Sequence, residues 1–120
     1  MRLFTKDGHI NFVDENNVFL GYDLNQDCCE NADWFIAAEP QLKPIKRDND
    51  NPSLDGWLFD RDWRMEIKGG PLDEGRMLAF RIRKGPSEQF IHIFNEHNGY
   101  YAHGFTFQKR PDGEAEKGDL

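Results

Sequence analysis

The stretch Asp27-Cys28-Cys29-Glu30-Asn31-Ala32-Asp33-Trp34-Phe35-Ile36-Ala37-Ala38-Glu39-Pro40 decides whether the fold contains a helix. Asp27 is a favoured N-cap residue, and Glu30 stands three positions on, where its carboxylate reaches back to the cap. Asp27-Cys28-Cys29-Glu30 therefore resembles a capping box. Ala32, Trp34, Phe35, Ala37 and Ala38 give the following residues an apolar side, and Pro40 ends the segment. The spacing predicts one short helix beginning at Asp27.

Everything around this segment reads as strand and turn. Ile10-Asn11-Phe12-Val13 and Val18-Phe19-Leu20-Gly21-Tyr22 flank the polar Asp14-Glu15-Asn16-Asn17, a strand, turn, strand composition. Residues 43–56 are poor in large apolar groups and rich in turn formers, which predicts a long surface loop that carries function or moves. Trp57-Leu58-Phe59 and Trp63-Arg64-Met65-Glu66-Ile67 are strand material interrupted by Asp60-Arg61-Asp62. In Met77 to Arg83 the period is two: Leu78, Phe80 and Ile82 share an inward face, and Arg81 and Arg83 point away.

Residues 90–107 contain Asn98-Gly99, which favours a two-residue type I′ turn. That turn would pair Phe94 with His103 and His92 with Phe105, placing His92 and His103 diagonally on one face. From Arg110 onward no core residue appears except the final Leu120, so 110–120 reads as a disordered tail after a single compact domain at 1–109. The expected fold is α+β, mostly β: a small bent antiparallel sheet of five or more strands with one short helix.

With 120 residues the chain is enough for one domain, and its ten Phe, three Tyr and three Trp supply a core without disulfides or a structural metal. The formal net charge is −7. A field of that sign repels phosphate backbones, so nucleic-acid binding would need a local basic surface. Only residues 61–84 offer one, with Arg61, Arg64, Lys68, Arg76, Arg81, Arg83 and Lys84, and no known nucleic-acid-binding pattern accompanies them. Neither a signal-peptide apolar region nor a run of about 20 apolar residues is present, so a soluble cytoplasmic protein is expected, with Cys28 and Cys29 as free thiols.

Three readings of Cys28 and Cys29 stay open. They are small hydrophobes packed at a helix start, or part of a metal site, or reactive thiols with His92 or His103 as base. Adjacent cysteines do not readily point at one ion, which counts against zinc, and no metal or cofactor is expected. A helix N-terminus favours a thiolate, whereas Asp27 and Glu30 oppose it. Asp48 to Ser53 begins like a calcium loop but lacks its glycine and bidentate glutamate. Asp60 and Asp62 are a pair of carboxylates with no further catalytic partner in the pattern. Trp34, Trp57, Trp63, Tyr100 and Tyr101 exceed what a small core needs, and Trp34, Trp57, Tyr100 and Tyr101 are interface candidates, because Tyr and Trp bury large area while keeping a polar tip.

At Asn25-Gln26-Asp27-Cys28-Cys29-Glu30 and at Asn98-Gly99-Tyr100-Tyr101 the chain resembles a family of small uncharacterised proteins from bacteria and bacteriophages, over about residues 9 to 107. The resemblance implies an architecture and a pairing of these two regions, and assigns no activity to any residue. Leu24-Asn25 departs from the aromatic or histidine residue usual before the block, and the loop at 43–56 is particular to this chain. Negative charge, surplus aromatics and an incomplete catalytic constellation together point to a non-enzymatic domain that binds another protein, of phage or mobile-element type. The alternative is a thiol- or metal-dependent enzyme using Cys28 or Cys29 with His92 or His103. The partner and the oligomeric state are not encoded in any residue pattern.

Overall fold

The segment 32–37 is a strand. In the computed structural model of the chain, which describes residues 1–25, 31–40, 43–47, 51–67, 75–96, 103–110, 113 and 115–120, Ala32–Ala37 pairs antiparallel with a central strand over its full length. No helix occurs among the described residues, so the fold is all-β rather than α+β. Aromatic and β-branched side chains at Trp34, Phe35 and Ile36 fit a pleated surface. Both faces of the strand are covered: Ala32 and Trp34 enter the main core, and Phe35 enters a second cluster behind the sheet. A strand covered on both sides shows no polar alternation, which is why its sequence is compatible with a helix.

Two antiparallel sheets result. The five-stranded sheet has the order β1 (Arg2–Lys6), β2 (His9–Val13), β3 (Phe19–Asp23), β8 (Gly104–Gln108) and β9 (Ala115–Asp119). The four-stranded sheet has the order β4 (Ala32–Ala37), β7 (Ser87–Asn95), β6 (Arg76–Lys84) and β5 (Leu58–Ile67). Two tight turns set local register. Asp7 and Gly8, at φ of 54° and 77°, join β1 to β2 in the type I′ sense, and Gly85, at 58°, precedes Pro86 between β6 and β7. The positive φ at Gly8 is what this turn requires of glycine, since the nearest atoms, 2.1 Å away and beyond, belong to the exposed Asn25 side chain, which can swing aside.

The expected pairing of β2 with β3 is present, and Leu78, Phe80 and Ile82 face the core. The hairpin expected over 90–107 is not formed. β7 lies between β4 and β6, and β8 lies between β3 and β9, so the two strands belong to different sheets. Both edges of β7 are already used, and no partner position is left for β8. The tail is also corrected: Ala115–Asp119 pairs with β8, and Leu120 is buried in the main core. Gly118 permits this, because a Cβ there would sit 2.8 Å from the Phe105 ring. A strand held by backbone pairing under an aromatic ring leaves little hydrophobic trace in its own sequence.

The sheets pack through Phe12, Leu20, Tyr22, Phe105 and Phe107 on one side and Trp34, Phe59, Phe80, Ile82, Ile91 and Ile93 on the other. Phe80 and Phe107 meet at 4.9 Å between ring centroids, and Phe59 meets Phe107 edge-on at 5.5 Å. Aromatic pairs in such tilted and edge geometries add to the area they bury. Polar ties lock the layers: the Tyr22 hydroxyl donates to the Phe94 carbonyl at 2.9 Å, and Phe59 N–H donates to Asp14 Oδ2 at 2.9 Å. Arg64 pairs with Glu116, and Arg76 donates to the Asp119 carbonyl at 2.8 Å.

β5 is one strand with an irregularity in place of two separate strands. Its register shifts between Phe59 and Arg64. The irregular residues carry Asp60 to Arg81 and set Trp63 against Phe90, 5.1 Å between centroids, with the Arg81 guanidinium 5.5 Å from the Trp63 ring. Bulges of this kind re-aim side chains, and here the result is a closed patch on the outer face.

Candidate functional site

Cys28, Cys29, Tyr100 and Tyr101 lie outside the described residues, as do the capping box and the start of the calcium-like loop at 48–50. Their flanks meet. His103 Nδ1–H donates to the Asp23 carbonyl at 2.8 Å, Asn31 Nδ2 donates to Glu96 Oε2 at 2.7 Å, and Glu96 N–H donates to the Asn31 carbonyl at 3.0 Å. The links β3 to β4 and β7 to β8 therefore start and finish side by side, at one end of the sandwich.

The two candidate histidines do not share a site. His92 is fully buried in the middle of the four-stranded sheet, on the face turned away from the main core, stacked on Phe35 at 4.2 Å and 9°. Its Nδ1–H donates to the Phe90 carbonyl at 3.1 Å. Burial pulls its pKa from 6.5 down to about 4, while hydrogen bonds to the backbone of Phe90 and Phe35 act in the opposite direction. His103 is buried in the other sheet and closes a backbone bridge with Leu120. The diagonal arrangement expected from the hairpin is lost together with the hairpin.

Four arginines of the basic segment are paired with nearby carboxylates. Arg64 pairs with Glu116, Arg76 with Glu66, Arg81 with Asp60 and Glu88, and Arg83 with Glu88. These pairs interrupt any continuous positive face. The hydrogen bond from Arg81 holds the Asp60 carboxyl below its ordinary pKa, with burial opposing it. Asp60 is thus an ionised partner and not a proton donor near neutral pH. No group of three or more His, Cys, Asp or Glu side chains suited to a metal ion occurs among the described residues. No helix of the described residues is long and apolar enough to cross a membrane.

Two of the interface candidates, Trp34 and Trp57, line a common groove of about 380 Å³ along β4. Trp34 is the inward side chain near the open edge of the four-stranded sheet. Phe12 meets its ring edge-on at 5.3 Å, and the Arg47 guanidinium lies over it at 4.4 Å. Its main chain is satisfied by side chains: Trp34 N–H donates to Asp33 Oδ1 at 2.9 Å, and Arg47 Nη1 donates to the Trp34 carbonyl at 2.6 Å while pairing with Asp33. Residues 44–47 run along this edge, and Ile45, 46% exposed, stands between the first groove and a second of about 490 Å³ that reaches Asn31 and Glu96. The far wall is fixed by Leu54, which is buried, accepts from the Met1 amine at 2.7 Å and accepts from Trp57 N–H at 3.1 Å.

Of the tryptophans named from the sequence as interface candidates, Trp34 is buried in the main core and Trp57 is partly buried against it, and Ile45, Arg47 and Leu54, which also line the groove, belong to the expected loop at 43–56. The available signal was the pair of apolar residues beside prolines, Pro44-Ile45 and Pro52-Ser53-Leu54. Comparison of the chain with family models, with curated proteins and with solved structures gives no match.

Proposed function

We propose that this domain acts by binding another protein, and that the groove between Trp34 and Trp57 is the binding surface. The observation that carries the reading is the groove itself. A partly buried tryptophan, an exposed isoleucine and an arginine stacked on a second, buried tryptophan converge on the edge of β4. Aromatic and arginine side chains are enriched at interface hot spots. The supporting comparison is with the other sheet edges. β1 carries Arg2 and Lys6, β5 carries Asp60, Arg61, Asp62, Arg64 and Glu66, and β9 carries Glu116, Lys117 and Asp119. Charges of this kind keep edge strands from pairing with other chains. β4 carries only Asp33, which Arg47 already engages.

The test is selection of binders from a displayed random-peptide library on the native chain, followed by affinities for Ile45→Ser and Trp57→Ala. Loss of at least about tenfold, the equivalent of about 1.4 kcal/mol, in both variants with native circular dichroism supports the groove. Enriched binders that ignore both substitutions refute it.

A further inference from the structure

We infer that the occupant of this groove is an extended acidic segment of a partner protein, which places an apolar side chain beside Trp57 and a carboxylate against Lys46 and Arg47. The inference rests on the groove being the binding surface. Its first ground is charge. The chain carries −7 overall, yet the described lining of the Trp34–Trp57 groove includes Lys46 and Arg47 and no carboxylate. At physiological salt the screening length is about 8 Å, so distant acids are muted at the groove; Arg47 is held by Asp33 at contact, and the exposed Lys46 adds a charge at the mouth. An acidic segment is therefore disfavoured over most of this surface and favoured here, which is how complementary fields give specificity.

The second ground is shape. A volume of about 380 Å³ is at the small end for ligand sites and suits a few side chains of a peptide. The groove follows the edge of β4, where an extended chain that displaces the Asp33 and Arg47 contacts on the Trp34 backbone gains main-chain partners and sets alternate side chains into the pocket. The third ground is chemical. Arg47 already takes a carboxylate, that of Asp33, at this edge, with Asp33 in the neighbouring groove. A guanidinium presents several N–H donors in a fork that matches carboxylate geometry, and Lys46, exposed at the mouth, adds a mobile charge.

The experiment uses the full chain and two blocked peptides of equal length, one a valine–glutamate repeat and the other a valine–glutamine repeat, titrated by calorimetry and tryptophan fluorescence. At about 0.05 M salt the glutamate peptide should bind at least about tenfold more tightly, and at about 0.5 M most of that advantage should vanish. Lys46→Gln, a change at an exposed side chain, should reduce the advantage severalfold without moving the unfolding midpoint. Ile45→Ser should weaken both peptides. Equal binding of the two, preference for glutamine, or no binding of either overturns the acidic occupant. An advantage for glutamate that survives intact in Ile45→Ser shows that the peptide binds elsewhere, and then the groove reading falls as well.

Discussion

Acidification from pH 7 to pH 5 should weaken this fold through His92. The folded imidazole has a pKa of about 4 against an ordinary 6.5, so the unfolded chain takes up a proton that the native state refuses. The sign follows: the stabilisation is complete above the unfolded pKa and is lost as pH falls through the window from about 6.5 to about 4. The full shift of about 2.5 pH units corresponds to about 3.4 kcal/mol, at about 1.36 kcal/mol per unit, and about 2 kcal/mol of it is already lost at pH 5. Against a total stability of about 5–15 kcal/mol for a domain, that is a large share. The assay is urea unfolding at both pH values in the native chain and in His92→Met, whose side chain has similar volume and does not titrate. The substitution lowers stability at both pH values, and the informative quantity is the difference between them. His92→Met should lose about 2 kcal/mol less on acidification than the native chain does. Equal losses in the two proteins would refute a buried neutral His92.

Two further stability predictions follow from particular contacts. Asp14 is buried and accepts from the N–H groups of Asn16, Val18 and Phe59, so Asp14→Ala strands donors in the turn and between the sheets and should cost about 3–5 kcal/mol in urea unfolding; a cost below about 1 kcal/mol would show that water replaces the carboxylate. Gly118→Ala drives a methyl group into the Phe105 ring at 2.8 Å and should cost about 1–3 kcal/mol, whereas at Gly104 the nearest atom is 3.5 Å away and the same change should cost less than about 1 kcal/mol; equal effects in thermal unfolding would contradict the packing of β9 over Phe105.

How much of this was legible depends on whether the deciding partner was local. The β2–β3 pair and the inward face of Leu78, Phe80 and Ile82 were readable, because a polar turn and a period of two are short-range signals. Asp7-Gly8 was equally readable as a hairpin turn and was overlooked. Asn98-Gly99 misled for the opposite reason: a turn signal says that the chain reverses, but not that the flanking strands stay in one sheet. Pairing of β7 with β4 and β6 is set by residues far away in sequence. The helix expectation at 27–38 failed because apolar residues on both faces of β4 erase the alternation that distinguishes a strand. At the groove, the tryptophans were visible one residue at a time, whereas the Arg47 contact with the buried Trp34 exists only after the loop has folded back along the edge.

The two exposed large hydrophobic side chains of the described residues, Ile45 and Met65, lie by opposite edges of the four-stranded sheet and invite the same interpretation. Their surroundings separate them. Met65 sits on β5 between Arg64 and Glu66, each of which is committed to an ion pair, and the preceding bulge breaks the strand's register. An incoming strand would meet a bent edge lined with charges whose pairing it must disturb, so burial of one thioether is offset by desolvation. Ile45 instead projects between two grooves, over a strand whose outward backbone groups at Trp34 are held by side chains that can exchange partners. Side-chain caps on an edge are weaker competitors than a full ladder of strand hydrogen bonds, and the apolar walls at Trp57 and Ile36 contribute area that β5 lacks. On the proposed binding reading the β4 edge is where a partner would gain most and displace least, and substitutions at Ile45 test that reading with little effect on the core beneath it.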